Sequence, residues 1–272
     1  MKTLLKKILG LSGYAPVPIS KDPVLRDLLE AYGQLRLRPK DKAFWQHRLS
    51  ETAAICHLRD LLQSHDIGTV LDIGGNVGQF GLRLRKLGFL GTILSFEPME
   101  QARQTLTAVA EQNGPWSVFP FALGSSARDA ELQIFADDSF SSLHQTRKGG
   151  KEVFGAMLQT ARKEKIRVET LDGIAAKLFP KVSDGGLMIK TDTQGHDLQV
   201  LQGGLQTLSQ ARVILTEAAA ETIYQDAPQF TDMFEFLQKQ GFVPSGLYPF
   251  SHRRDTLSMI EFDAFFVRKS GR

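Results

Sequence analysis

An acidic residue followed by a glycine-rich turn is the part of this 272-residue sequence that most clearly indicates chemistry. Residues 70–80 run from apolar residues through Asp72 into Gly74 and Gly78, and then into a stretch with helical character. That order predicts a strand, a tight loop and a helix, the first unit of an open α/β sheet, whose ligands bind at the carboxyl ends of the strands. Glycines let the backbone approach a ligand closely, and a helix start offers unpaired N–H groups. The segment therefore predicts a ligand site at this turn.

The spacing of the glycines and the acid indicate which ligand. A dinucleotide-binding loop carries glycines at its first, third and sixth positions. Aligning the sixth position with Gly78 or Gly81 places Ile73 or Asn76 at the first, so neither register fits. A pyrophosphate would also face an uncompensated charge on Asp72, which disfavours an NAD-dependent sugar-modifying enzyme. The order acid, glycine and second glycine after a strand is typical of sites for S-adenosylmethionine, which carries a sulfonium and an ammonium group.

A second acid follows at the spacing expected of a nucleoside site. Residues 92–96 are a short apolar strand candidate, and Glu97 with Pro98 closes it. Glu97 lies 25 residues after Asp72, close to the separation at which α/β nucleoside sites place a carboxylate on the ribose hydroxyls. Either acid alone would be interpreted as a solvated residue at a strand end. The pair around a glycine loop favours a cofactor site.

The elements that must position these residues alternate along the rest of the chain, as expected of a parallel sheet with crossover helices. Strands after the second are predicted at 116–121, 130–135, 166–170, 187–192, 213–217, 242–247 and 259–267. Helices are predicted at 99–112, 197–208 and 231–240. We expect the last two strands to form an antiparallel pair.

The N-terminal part of the chain differs in charge from the rest. Residues 1–50 contain ten Lys/Arg and four Asp/Glu, whereas residues 51–272 contain 23 and 26. We therefore divide the chain into a basic N-terminal helical segment, residues 1–66 with helices at 23–32 and 41–65, and a domain of residues 67–272. The charge favours an acidic partner such as a membrane surface. Apolar residues in 1–9 fall on one face of a short amphipathic helix, which could lie on an anionic membrane or dock on the protein itself.

The expected location follows from cysteine content and hydropathy. The single Cys56 excludes an internal disulfide and fits a reducing compartment. No apolar run reaches the length needed to span a bilayer. We expect a cytoplasmic protein, with peripheral contact to the inner membrane face as an open alternative.

An ordered set of motifs resembles the FkbM-type S-adenosylmethionine-dependent methyltransferases over residues 67–267. The motifs lie at 70–78, 95–98, 122–124, 141–143, 168–172 and 189–196. The most specific are the last two, Val-Glu-Thr-Leu-Asp and Ile-Lys-Thr-Asp-Thr-Gln-Gly-His. The resemblance implies a Rossmann-like, seven-stranded class I methyltransferase sheet with helices on both faces. It also implies O-methylation of a hydroxyl group on a sugar, a glycan or a similar metabolite.

The resemblance also implies which residues bind the cofactor, S-adenosyl-L-methionine. The loop residues would surround its methionine part, Glu97 would hold the ribose, and Ala122 with Leu123 would lie along the adenine. The full set of expected cofactor-binding residues is Asp72, Gly74, Gly75, Asn76, Gly78, Glu97, Pro98, Ala122, Leu123 and Ser142.

Residues near the end of the fourth main strand are the catalytic candidates. Methyl transfer is an in-line displacement that depends on orientation, and a sugar hydroxyl benefits from a general base. Asp192 ends the strand, and His196 starts the next helix, whose N-terminus should keep the imidazole neutral and able to accept a proton. Lys190 can share a face with Asp192, and Glu217 could orient Lys190 or His196. His144 is a second candidate for the base.

Several alternatives to these assignments are open. Asp192 or Thr193 could cap the helix, His196 could be structural, and Lys190 with Glu217 could form a semi-buried ion pair. No metal is expected, because the histidines lack ligand spacing. No nucleic acid is expected, because the turn after the fourth strand lacks the Pro-Pro-aromatic sequence common in base methyltransferases. A non-catalytic S-adenosylmethionine-binding module is a further alternative, and the sequence gives no oligomeric state.

Overall fold

The computed structural model describes residues 26, 42–136, 141–147, 150, 155–178, 185–253 and 255–269. The helix predicted at 23–32, apart from the helical Arg26, and the amphipathic segment at 1–9 lie outside the described residues. No described helix is both long enough and apolar enough to cross a membrane.

The described chain forms two sheets and the helices that connect their strands. The strands of the large sheet are β1 (Ile67–Ile73), β2 (Thr92–Phe96), β3 (Trp116–Phe119), β7 (Gly186–Thr191), β8 (Ala211–Ala219), β9 (Phe242–His252) and β10 (Met259–Arg268). Those of the small sheet are β4 (Ala122–Leu123), β5 (Arg128–Phe135) and β6 (Thr160–Glu169). The helices are α1 (Lys42–Ser64), α2 (Gln79–Lys86), α3 (Glu100–Glu111), α4 (Leu171–Leu178), α5 (Asp197–Gln202), α6 (Leu205–Gln210) and α7 (Phe230–Lys239).

The order of the large sheet is β3-β2-β1-β7-β8-β10-β9, which confirms the predicted seven-stranded sheet. The pairs β1–β2, β2–β3, β1–β7 and β7–β8 are parallel, and β10 runs antiparallel to both β8 and β9, as predicted for the last two strands. The chain first builds outward from β1 to β3 and then returns to place β7 on the other side of β1. The strand order therefore reverses between β1 and β7, and such switch points are where open α/β sheets bind ligands.

Two predicted boundaries differ from the structure for backbone reasons. The third strand ends at Phe119 rather than at residue 121, because Pro120 has no N–H for the ladder. The chain then leaves the large sheet, and β4 joins β6 in the small one. The helix predicted at 197–208 is divided into α5 and α6 by Gly203 and Gly204, residues that weaken a helix.

Each face of the large sheet is covered by its own set of helices. Neighbouring strand residues point to opposite faces, so Val70 and Leu71 belong to different cores. One core joins Leu71, Ile73, Leu94, Ile189 and Ile214 to helices α4 to α7. The other joins Val70, Ile93, Met188 and Val213 to helices α1, α2 and α3. The apolar runs of the central strands are thus explained by burial on both faces.

Helix α1 is packed on the sheet rather than separate from it. Leu58 and Leu61 are buried in the second core. His57 lies between two residues of β9, with Ser245 Oγ 2.9 Å from its Nε2 and Tyr248 Oη 2.9 Å from its Nδ1. These contacts fix the helix against the last hairpin, beside the carboxyl ends of the parallel strands.

Candidate active site

A cavity of about 490 Å³ opens at the switch point of the large sheet. One half of it is lined by the loop after β1, by the end of β2 and by β4. The other half is lined by β8, β9, β10, α1 and α2. The residues that end β7 lie between these halves and contribute to the same cavity. The cavity therefore extends over both sides of the switch point.

The loop after β1 has backbone conformations that explain its sequence. Gly74 has a φ of +80°, and a Cβ on it would lie 1.9 Å from the carbonyl oxygen of Asp192. Gly78 has a φ of +96° and precedes α2, but it does not line the cavity. Asn76, with a φ of 45°, directs its N–H to Glu97 Oε2 at 2.8 Å. The glycines and Asn76 thus bring the loop against both β7 and the end of β2.

The environment of Asp72 differs from the one that the sequence led us to expect. Its side chain is 0 % exposed, and it is not among the residues that line the cavity. Oδ1 lies 3.0 Å from Lys190 Nζ, and Oδ2 accepts a hydrogen bond from Ser95 Oγ at 2.8 Å. The charge of Asp72 is therefore compensated by Lys190, and the expectation that it stands uncompensated in the loop is wrong. The sequence pattern could not show this pairing, because it depends on the register of β1 against β7.

Lys190 links the two central strands to the loop. Besides its ion pair with Asp72, it donates a hydrogen bond to the carbonyl of Gly74 at 2.8 Å and lies 3.6 Å from Asp192 Oδ2. Burial alone would lower the pKa of Lys190, but the carboxylates of Asp72 and Asp192 outweigh it and raise the pKa. Lys190 therefore keeps its proton and can position neighbouring groups, but it is not a base.

Glu97 lies where a ribose-binding carboxylate was expected, and it lines the cavity. Its two oxygens accept hydrogen bonds from the backbone N–H groups of Met99 and Asn76, both at 2.8 Å. Burial raises the pKa of Glu97 to about 7, although these two bonds and the charge of Lys190 favour the ionised form. The backbone thus fixes the carboxylate and leaves further lone pairs directed at a ligand. Its role on the ribose stays a prediction.

The expected adenine side is apolar and lies on the small sheet. Ala122 and Leu123 line the cavity, as do three neighbouring residues, Pro98, Met99 and Leu132. Of the other predicted loop residues, Gly74, Gly75 and Asn76 also line it.

Ser142 has a different place from the one expected. It is buried outside the cavity lining, where its Oγ donates to the carbonyl of Gln194 at 2.6 Å and accepts from the N–H of His144 at 3.0 Å. Its neighbour Ser141 lines the cavity instead, and Ser141 Oγ is buried with no partner among the described residues. The motif at 141–143 identified the segment, but it could not indicate which serine faces a ligand.

Gln194, which was not among the predicted site residues, organises the acids at the end of β7. Its Nε2 donates to Asp192 Oδ1 at 3.2 Å and to Glu217 Oε2 at 2.8 Å. Its Oε1 accepts a hydrogen bond from Tyr224 Oη at 2.8 Å. Glu217 is therefore positioned by Gln194, and the expectation that it orients Lys190 or His196 is corrected.

Asp192 does not act as the helix cap that was one alternative. The residue before α5 is His196, which makes no capping hydrogen bond, and Asp197 Oδ1 accepts the N–H of Thr193 at 3.1 Å. The Asp192 side chain is 44 % exposed and lines the cavity. Burial alone would raise the pKa of Asp192, but Lys190 and its hydrogen bonds hold it below its usual value. It can therefore present a charged carboxylate to a ligand.

The two histidines proposed as bases are in contact with each other. His144 Nε2 lies 3.2 Å from His196 Nδ1, and His196 lines the cavity. Burial, followed by His144 and Arg128, lowers the pKa of His196 to about 4. A pKa this low keeps the imidazole neutral at neutral pH, with burial rather than the helix terminus as the main cause. A Cβ on Gly124 would lie 3.0 Å from His196 Nε2, so this glycine makes room for the ring.

The half of the cavity away from the cofactor loop combines acids with an apolar wall. The acids are Glu217 from β8 and Glu261 and Asp263 from β10. The apolar residues are Ala54, Ile55 and Leu58 from α1, Phe80 from α2, and Phe250 and Phe265 from the last hairpin. Sequence reasoning missed Glu261 and Asp263 because nothing in a single antiparallel strand marks its acids as facing a site.

One cation in this half is already engaged. Arg83 lines the cavity, and its NH2 group lies 3.1 Å from Glu51 Oε1 on α1. Glu51 Oε2 also pairs with Arg48 at 2.9 Å. The pair between Arg83 and Glu51 ties α1 to α2 across the cavity. Within the described parts of the chain, no group of three or more His, Cys, Asp or Glu residues could hold a metal ion.

Comparison with solved structures finds methyltransferases, at low identity. The methyltransferase FkbM from Methylobacillus flagellatus KT is 14 % identical, with a TM-score of 0.48, over 97 % of this chain and 70 % of that one. Magnesium protoporphyrin IX methyltransferase from Synechocystis PCC 6803, solved with bound SAM, is 14 % identical, with a TM-score of 0.45, over 90 % and 96 %. Aeropyrum pernix fibrillarin, also with bound S-adenosyl-L-methionine, is 12 % identical, with a TM-score of 0.42, over 79 % and 74 %.

Comparison at the level of sequence is more decisive. No curated protein matches this chain significantly. The model of the methyltransferase FkbM domain, however, matches residues 72–244, which are more than half of the chain. That span includes the cofactor loop, Glu97 and the end of β7. The chain therefore belongs to the FkbM family of class I, S-adenosylmethionine-dependent methyltransferases, as its motifs predicted.

Proposed function

We propose that this protein transfers the methyl group of S-adenosylmethionine to a hydroxyl group of a sugar, a glycan or a related polyhydroxylated metabolite. The observation that carries the proposal is the continuity of the cavity. One half of the cavity has the glycine loop and the carboxylate expected of a nucleoside site. The other half is rich in hydrogen-bond acceptors. Asp192 and His196 line the same cavity. The cofactor supplies an electrophilic methyl group, and the residues of the chain must orient a hydroxyl toward it.

The residues present fit this cofactor. Asn76 and Met99 hold the Glu97 carboxylate at the edge of the cavity, where it can accept hydrogen bonds from ribose hydroxyls. Ser141 Oγ is a buried polar atom that lines the cavity and has no partner among the described residues, so a bound ligand would satisfy it. Ala122 and Leu123 offer apolar surface for a purine.

The second half fits a polyhydroxylated acceptor. Carboxyl oxygens accept hydrogen bonds in either protonation state, and Glu217, Glu261 and Asp263 can therefore accept hydrogen bonds from the hydroxyl groups of an acceptor. Among the residues that the structure describes, two cations line the cavity, and each is paired with an acid, Lys190 with Asp72 and Arg83 with Glu51. This charge balance favours a neutral acceptor over a phosphorylated or carboxylated one. The apolar wall opposite could cover the C–H face of a sugar ring.

Asp192 and His196 would divide the work on the acceptor hydroxyl. Asp192 is ionised and reaches into the cavity, so it can orient the hydroxyl or accept its proton. His196 is neutral at neutral pH and can accept a proton, although burial and the neighbouring His144 disfavour its protonated form. Orientation of the hydroxyl contributes most of the rate in such a displacement, and the base adds to it.

Calorimetric titration with S-adenosylmethionine tests the proposal, with NAD as the competing ligand. We expect binding of S-adenosylmethionine but not of NAD. Glu97→Ala removes charge-assisted hydrogen bonds worth about 1.5–3 kcal/mol, so affinity should fall by roughly 10- to 100-fold. Glu100→Ala is the matched control, because Glu100 is exposed and outside the cavity lining.

Methyl transfer itself is measured with radiolabelled cofactor and a panel of neutral glycosides and their phosphorylated counterparts. Transfer to neutral glycosides supports the proposal. If wild-type protein does not bind S-adenosylmethionine, the proposal is refuted. If it binds but labels none of the panel, the chain is to be considered a binding module or an enzyme for another acceptor class.

A further inference from the structure

Three carboxyl groups from three adjacent strands line the same cavity, and we call this group the carboxyl chain. It consists of Asp192 after β7, Glu217 on β8 and Glu261 on β10. The side-chain amide of Gln194 bridges two of them, because its Nε2 donates to Asp192 Oδ1 at 3.2 Å and to Glu217 Oε2 at 2.8 Å. Carboxylates held close to one another repel, and a proton on one of them removes part of that repulsion. The clustering of three acids in one cavity therefore favours protonation of some of them.

The groups around the carboxyl chain do not neutralise its negative charge. Lys190 is the cation that faces it from β7, and Lys190 also pairs with Asp72. Arg83 also lines the cavity, but it is paired with Glu51. Asp197, Asp263 and Tyr224 are further neighbours, and they are acidic or neutral at neutral pH. Gln194 contributes two neutral hydrogen bonds. A net negative charge thus accumulates at one place in the cavity, and protons are the groups that can balance it.

The carboxyl chain also connects two cavities. All three of its members line the main cavity, and Glu217 and Glu261 line a second cavity of about 40 Å³ together with Tyr224 and Asp197. Its volume is sufficient for ordered water, and Glu217, Tyr224 and Glu261 on its otherwise mostly apolar lining offer polar partners. Protons can therefore leave the chain on the side away from the cofactor loop.

We propose that the carboxyl chain adjusts its proton content to the charge of the cofactor. It releases a proton to water when the sulfonium cation binds, and it regains one from the acceptor hydroxyl when that positive charge is lost. This inference rests on the proposed function. In it, Glu217 and Glu261 are positioning residues that hold the exchanged proton.

Every bond, proton and charge in the transfer step is accounted for. The O–H bond of the acceptor breaks and an O–CH₃ bond forms, while the S–CH₃ bond breaks and leaves its electron pair on sulfur. The proton passes to the carboxyl chain and later to water. One positive charge disappears at sulfur and one appears on the chain, so the net charge of the cavity stays constant. This matters because unbalanced charge is costly in a poorly solvated site.

The titration behaviour of the chain is suited to this role. Burial and the charge of Asp192 raise the pKa of Glu217 well above its usual value. Burial raises the pKa of Glu261 to about 7, again with a contribution from Asp192. The chain therefore contains a group near its midpoint at neutral pH, where a nearby cation changes the proton content most.

The test compares proton release on binding S-adenosylmethionine and S-adenosylhomocysteine, which lacks the methyl group and the positive charge. Titration calorimetry at pH 7 in phosphate and in Tris gives the number of protons released for each ligand. A nearby cation lowers a carboxyl pKa by about one unit or more, which takes a group with a pKa of about 7 from half to roughly one-tenth protonated. S-adenosylmethionine should therefore release about 0.4 proton more than S-adenosylhomocysteine.

Variants assign the effect to the chain. Glu261→Gln removes one titrating group and should abolish most of the difference, and Glu217→Gln should do so as well. Glu235→Gln is the control, because Glu235 is an exposed acid on α7 and should leave the difference unchanged. Equal proton release by the two ligands in the wild-type protein overturns the inference, whether or not the variants fold. Absence of S-adenosylmethionine binding overturns the proposed function instead.

Discussion

Replacing Asp72 with asparagine distinguishes a buried brace from a ligand-binding acid. Asp72→Asn keeps the shape of the side chain and an oxygen for Ser95 Oγ, but it removes the charge 3.0 Å from Lys190 Nζ. Breaking a buried ion pair by removing one partner costs about 3–5 kcal/mol. Asp192 remains 3.6 Å from Lys190, but it is half exposed, so it compensates only in part. We expect a loss of about 3 kcal/mol in the free energy of unfolding.

The assay is chemical denaturation followed by circular dichroism, applied as a double-mutant cycle. The four proteins are the wild type, Asp72→Asn, Lys190→Met and the variant that carries both changes. Because the double variant leaves no unpaired buried charge, it should be more stable than the sum of the single changes predicts. Asp129→Asn is the control, since its pair with Arg167 is exposed and should contribute less than about 1 kcal/mol. Additive effects of the two single changes would show that the ion pair between Asp72 and Lys190 does not stabilise the fold. Unchanged stability of Asp72→Asn with a large loss of cofactor affinity would instead support direct contact with the cofactor.

Three further expectations concern catalysis, pH and the N-terminus. His196→Ala and Asp192→Asn should bind S-adenosylmethionine nearly as the wild type does but transfer methyl groups ~10²–10⁴-fold more slowly; near-normal turnover of His196→Ala would exclude it as the base. Between pH 6 and 8 the free energy of unfolding should fall as pH rises, because Glu97 and Glu261, with pKa values of about 7, hold protons in the folded protein that the unfolded chain has already lost. Thermal melts should show a smaller fall for Glu97→Gln, and an equal fall would contradict this account. Sedimentation with anionic vesicles should be salt-sensitive and should weaken in a variant that lacks residues 1–12, and identical sedimentation of the two proteins would exclude a membrane role for that segment.

Local sequence patterns predicted the positions of the main elements and of the cofactor loop. The acid, the glycines and the apolar runs are local features, and they determine where a strand ends and a helix begins. Strand β1, helix α2 and the antiparallel pair of β9 and β10 follow from such patterns. Predictions failed where a single backbone property decided the outcome, as at Pro120 and at Gly203.

The partners of the site residues could not be predicted in the same way. The ion pair between Asp72 and Lys190 joins residues far apart in the sequence, and it exists because β1 and β7 pair in one register. Gln194 adopts a positive φ of 53° and thereby places its amide between Asp192 and Glu217, which no local pattern shows. The sequence shows which residues are charged, but it does not show which charges pair with each other, because the pairing depends on tertiary structure.

The position of α1 has a consequence for how such enzymes can change during evolution. Ala54, Ile55 and Leu58 form part of the cavity wall, yet they precede the span 72–244 that matches the family. Glu261, Asp263 and Phe265 follow that span. The second half of the cavity is therefore built largely from the two ends of the chain, whereas the cofactor half comes from its middle. Substitutions or exchanges in the terminal segments can accordingly alter which acceptor fits without disturbing the cofactor loop, so new specificities can arise on an unchanged catalytic scaffold.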